Sequence, residues 1–256
     1  SPLTISDGSI LTTTSSTENS VHFGDPVASS AVTVTDSNLV VATGSGDGLH
    51  FADTITDSPV TFTGSSIQAL QIGVWFETTV LRSPVVLDNV QTTGHHALYW
   101  KETKTDSPTT ITKTTCTTSG AVLMSIGAVT SSPLTISDSA FTSSHGGTDP
   151  VIRFSAALTS SPTAVAASTL SATGGTGVGF QFLASATDSP VTITGSTIKA
   201  NRGGIDYPAG PVVRSDLVLT DTTIQTVYDA AKFNFFDMAG DSVSDVTADN
   251  CRLQHV

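Results

Sequence analysis

Adjacent His95 and His96 carry the side chains most suited to metal binding or proton transfer in this 256-residue chain, since imidazole does both near neutral pH. Neighbours in an extended strand point to opposite faces, and no third ligand recurs beside the pair, so a loop at a corner is the expected setting. Asp7 and Asp36 fall at equivalent repeat positions, but the next equivalent is Gly64, which makes them turn residues and not metal ligands. No strand carries an Asp pair at the spacing of a glycosidase dyad. Gly174-Gly175-Thr176-Gly177 lacks the Lys and the helix of a phosphate loop. Cys116 and Cys251 lie five repeats apart, roughly 20 Å or more at about 4.8 Å per rung, beyond disulfide reach. Nothing here assembles catalytic chemistry. The expectation is a non-enzymatic chain without metal or cofactor.

Two outward patterns remain. Alternating hydroxyls recur as Thr4/Ser6, Thr33/Thr35, Thr61/Thr63, Thr110/Thr112, Thr135/Ser137 and Thr192/Thr194, interrupted by Val86/Asp88 and Ala164/Ala166. Val218/Thr220 and Thr247/Asp249 end the series. Hydroxyls arrayed this way can hold water or an extended polar surface. The second pattern is a file of His22, His50, Trp75, Tyr99, Met124, Arg153 and Gln181. Trp75 and Tyr99 should sit one above the other, with Glu77 and Lys101 beside them, and adjacent aromatics can stack on sugars or anchor a protein.

Both patterns depend on a repeat. The phrase Ser58-Pro59-Val60-Thr61-Phe62-Thr63 returns at Ser1, Ser107, Ser132 and Ser189, with degenerate copies at Ser30, Ser83, Ser161, Ser215 and Ser244. Intervals run from 24 to 29 residues and cover the whole chain in ten copies. Such a period marks a solenoid whose coils bury their apolar faces only by stacking. Val60 and Phe62 alternate with Thr61 and Thr63, the period of a half-buried strand. An Asp, Gly or Asn follows, suited to a sharp bend, and then one more inward residue: Ile10, Leu39, Ile67, Cys116, Phe141, Leu170, Ile198, Ile224 or Leu253. An apolar pair such as Val74/Phe76 and a third point such as Val80 complete about three inward faces. The Ser before the Pro position stands in every coil and should form a hydrogen-bonded ladder at the corner. The fold expected is one domain over 1–256, an all-β, right-handed, three-sided parallel β-helix of about ten coils, with Tyr228 to Met238 the only stretch suited to a short helix.

Charged residues make up only 12 % of the chain, and the formal charge is −12. That balance argues against nucleic acid and anionic membrane surfaces, which need a basic stripe. No apolar run approaches the length of a transmembrane helix, so no membrane insertion is expected. The repeat phrase opens the sequence, and any leader or cap is expected outside it.

On its coil length and inward files, the whole chain resembles the right-handed parallel β-helix superfamily, often called pectin-lyase-like. Polysaccharide lyases and hydrolases of that superfamily use clustered Asp residues, or Ca²⁺ with a basic residue, and neither is found here. The Thr-x-Thr files resemble the binding face of β-solenoid ice-binding proteins, where Thr methyls and hydroxyls order water. That resemblance implies a secreted or cell-surface protein binding ice, or another extended surface, through Thr4, Thr33, Thr35, Thr61, Thr63, Thr110, Thr112, Thr135, Thr192 and Thr194. The alternatives are a segment of an adhesin or secreted passenger meeting a host-surface protein, and a glycan-binding β-helix using Trp75 and Tyr99.

Overall fold

The computed structural model describes residues 1–14, 18–144, 146–207, 211–226, 234–238 and 244–255. It is an all-β parallel solenoid of about nine turns with no helix among the described residues, in keeping with a right-handed β-helix. One coil shows how the sequence builds it. Strands Val60–Thr63, Ser66–Gln68, Ile72–Phe76 and Val80–Leu81 follow one another, and each pairs with its equivalents above and below. Stacking gives four parallel ladders, numbered here 1 to 4 in that chain order, with 10, 10, 9 and 8 strands among the described residues.

Corners come from single residues in the left-handed region. Between ladders 1 and 2 these include Asp36 (φ 48°), Gly64 (φ 58°), Asp138 (φ 51°) and Asn250 (φ 50°). Asx side chains tolerate this region and glycine is free to adopt it. A Cβ on Gly64 would lie 2.2 Å from Asp36 Oδ1, so a side chain there would require the Asp36 carboxylate to move aside. Lys113 (φ 49°) and Ala167 (φ 47°) adopt the same conformation without that preference. Their amides donate to Ser137 O and Thr194 O of the next coil, so the ladder imposes the bend.

A second set of left-handed residues, among them Ser29, Asp57, Arg82, Asp106 and Asp188, stands immediately before the repeated Ser. This bend separates a two-residue strand, such as Ile55–Thr56, from ladder 1 and makes it a ladder of its own. The coil therefore has four ladders where three faces were expected.

The Ser ladder forms as expected. Ser30 N donates to Ser58 Oγ at 3.0 Å, and the same bond recurs coil by coil to Ser215 and Ser244 at 2.9–3.1 Å. The hydroxyls from Ser30 to Ser215 also donate two residues back across the bend, as from Ser58 to Thr56 O at 2.7 Å. A parallel hydroxyl ladder stands at the other corner, where Ser37 N donates to Ser65 Oγ (3.1 Å) and Thr114 N to Ser139 Oγ (3.1 Å). The corners are thus stitched by buried hydroxyls that satisfy backbone groups.

The inner files hold the core. Phe23, Phe51, Phe76 and Trp100 stack through successive coils, with ring centroids 4.8, 5.2 and 5.5 Å apart and planes within 6°. Cys116 is buried in the ladder 2 file, as expected, and both cysteines are free thiols. Burial pushes the Cys116 thiol up to about 12, far from a reactive thiolate.

One inward assignment changes, and two points that the pattern left open are filled by polar residues. Ile10 is 67 % exposed, and Leu11 instead pairs with Leu39 and packs on the core. Gly8 adds a second left-handed residue after Asp7, which moves the strand one position and reverses its faces. Thr92 fills the ladder 2 point in the fourth coil, and Lys104 fills the ladder 4 point between Val80 and Val129. Asn234–Met238 is a strand, not part of a helix, while 227–233 lie outside the described residues.

Candidate surface-binding face

Ladder 1 is made by the strictest alternation in the chain, so its register is fixed by which residues must be buried. Val32, Val34, Val60, Phe62, Ile111, Ile136 and Ile193 point inward and are buried. The intervening residues must then face out. The outer file runs Thr4, Thr33, Thr61, Val86, Thr110, Thr135, Ala164, Thr192, Val218, Thr247 in register. Its companion runs Thr35, Thr63, Asp88, Thr112, Ser137, Ala166, Thr194, Thr220, Asp249. Every Thr expected in this lattice is half-buried or exposed, none fully buried. Neighbours lie about 4.8 Å apart along the axis and about 6.7 Å apart along the strand.

Two local features keep this face clear. It ends at tight corners: two residues, Asp36-Ser37, lie between Val32–Thr35 and Asn38–Val41 on the ladder 2 side, and three, 57–59, between Ile55–Thr56 and Val60–Thr63 on the ladder 4 side. The longer connections instead fall between ladders 2 and 3, as in 42–48 and 173–177. The hydroxyls themselves are also unclaimed. Among the described residues, those of Thr4, Thr33, Thr35, Thr61, Thr63, Thr110, Thr135, Thr192 and Thr194 bond to no protein group, whereas the corner hydroxyls are engaged. Thr112 is the exception, donating to Asp88 Oδ1 at 2.7 Å. Charge at the adjacent edge is partly neutralised by Arg82–Asp57 and Arg214–Asp188, whose guanidinium groups hold both carboxyls below their ordinary range.

The aromatic file on ladder 3 also lies in register, from His22 through His50, Trp75, Tyr99, Met124 and Arg153 to Gln181. Trp75 and Tyr99 are neighbours as expected, with centroids 6.3 Å apart and planes at 75°. His50 lies flat on Trp75 at 4.1 Å and 4°, so that face of the indole is covered. Lys101 Nζ bonds Glu77 at 2.9 Å, and Glu77 bonds His50 Nε2 at 3.0 Å. Asn19 Nδ2 lies 3.0 Å from His50 Nδ1, which fits a neutral imidazole accepting there and donating to Glu77. Desolvation lowers the His50 pKa further, while the bond from Lys101 lowers that of Glu77. The rings and ion pairs of this file thus contact one another from coil to coil.

His95 and His96 do not point to opposite faces. Both amides donate to Gln71 O, at 2.7 and 2.9 Å, a bulge that brings the rings to 4.3 Å. His96 Nδ1 bonds Ala121 O at 2.8 Å, and burial lowers its pKa. No cluster of three or more metal-ligating side chains occurs among the described residues. Neither a family model, nor a curated protein, nor a solved structure matches this chain.

Proposed function

We propose that the protein is a non-enzymatic, secreted or cell-surface β-helix that binds an extended surface through ladder 1, and that the surface is ice. The observation that carries this reading is the lattice of unclaimed Thr hydroxyls on a face bounded by tight corners. A Thr at each point offers a methyl group and a hydroxyl in fixed rotamers, because β-branching restricts χ1. The strands beneath cannot shift without exposing Phe62 or Ile111, so the lattice is held rigid before it meets its target. Water bound between methyl ranks then has a repeating template at about the rung spacing. The glycan reading fits the geometry less well, because His50 covers one face of Trp75 while Tyr99 and Lys101 of the next coil stand against the ring from the other side, and stacking on a sugar needs an open face.

The test is growth of a single ice crystal in the purified protein. Faceted, slowed growth supports the reading, and growth as in buffer ends it.

A further inference from the structure

Lys104 is the one residue of the inner files that carries a charge among the described residues, and its surroundings are built around more than its side chain. It sits between Val80 and Val129 in ladder 4, and 4 % of its surface is exposed. Its Nζ donates to Thr109 Oγ1 at 2.5 Å and lies 4.6 Å from the centre of the Trp100 ring. An ammonium has three donors, so one bond and one ring face leave a donor to be placed. Beside it is a cavity lined by Trp100, Lys104, Ser125, Ser132, Val129 and Phe154, with Leu123 and Leu134 completing the wall. All of these side chains are buried. The centre of a water-sized sphere has about 10 Å³ in which to move, room for one molecule.

The walls offer both acceptors and donors. Ser125 Oγ donates to Gly127 O at 3.2 Å, and Ser132 Oγ donates to Thr130 O at 2.8 Å while accepting from Ser107 N at 2.9 Å. Each hydroxyl keeps a lone pair. No protein group accepts from the Trp100 indole N–H. A purely apolar cavity of this size stays dry, but one with two to four polar partners holds water.

We propose that this cavity is a binding site for a single buried water that accepts from the Lys104 amine and donates to Ser125 or Ser132. The water supplies the solvation that the aliphatic file cannot, which explains how a lysine is tolerated at a position otherwise taken by Val27, Ile55, Val80, Val129, Leu158, Ala186 and Val212. Desolvation pulls the amine down to about 7, in keeping with a group that has few partners of its own. A chloride would need more room than one water, and the serine lone pairs would repel it.

The inference is independent of what the outer face binds. A high-resolution crystal structure, paired with water-to-protein cross-relaxation of the ¹⁵N-labelled protein in solution, tests it. One ordered, slowly exchanging water beside Lys104 and Ser125 is expected in the wild type, and it should be lost in Lys104→Met. A dry cavity in the wild type, or the same water retained in Lys104→Met, overturns the proposal. An anomalous peak in the cavity after bromide soaking also overturns it, in favour of an anion. If Lys104→Met does not fold, the wild-type measurements decide alone.

Discussion

At the scale of single residues, this protein separates two uses of the hydroxyl group. The corner Ser side chains from Ser58 to Ser215 are buried and each both donates to and accepts from the backbone, whereas ladder 1 Thr side chains face out and, Thr112 apart, bond to no protein group. Substitution should reveal the difference. Ser107→Ala removes the acceptor for Ser83 N and the donor to Thr105 O inside a buried corner. It should cost about 1–3 kcal/mol, seen as a lower denaturant midpoint. Thr110→Ala leaves Ile111 packed and should stay within about 0.5 kcal/mol of wild type. Lys104 gives a pH signature of definite sign. Its folded pKa of about 7 lies below the ordinary 10.5, so between these values the unfolded chain binds the extra proton. Stability should therefore rise as pH goes from 7 towards 10.5, and the penalty should be fully present below 7. Lys104→Met should raise the denaturant midpoint at pH 7 and flatten that rise. A wild-type midpoint that falls over this range would contradict the assignment.

At the scale of strands, structure is legible in the sequence where burial leaves one choice. Slipping ladder 1 by one residue would expose Val60 and Phe62 and bury Thr61 and Thr63, so the alternation alone fixes both hydroxyl files and their partners. The aromatic file was legible for the same reason. Other features depend on backbone detail that periodicity does not carry. The extra left-handed Gly8 moves the inward point from Ile10 to Leu11, and the bulge on Gln71 O turns His95 and His96 together. The fourth ladder is only two residues long, too short for an alternation to appear, and Lys104 was hidden because a charged residue does not announce itself as core. The lattice also has a gap that predicts an outcome. Val86/Asp88 interrupts it between Thr61/Thr63 and Thr110/Thr112, and Asp88 occupies the Thr112 hydroxyl. The double substitution Val86→Thr with Asp88→Thr should join the two stretches and widen the gap between melting and freezing temperatures. An unchanged gap, with an active wild type, would show that coil 4 lies outside the contact.

At the scale of the molecule, stacking provides a rigid plane roughly 45–50 Å long at the rung spacing. Each Thr contributes little alone, so binding to a solid surface must come from many in register, which only a repeat fold supplies. Among the described residues the longer loops fall between ladders 2 and 3 and not beside ladder 1, and this asymmetry can be tested directly. The melting–freezing gap should be compared between Thr110→Tyr on ladder 1 and Thr117→Tyr on the outward side of ladder 2, at equal concentration and with both proteins shown to be folded. Thr110→Tyr should abolish the gap, while Thr117→Tyr should leave it at the wild-type value. Equal loss from both substitutions would contradict binding through ladder 1.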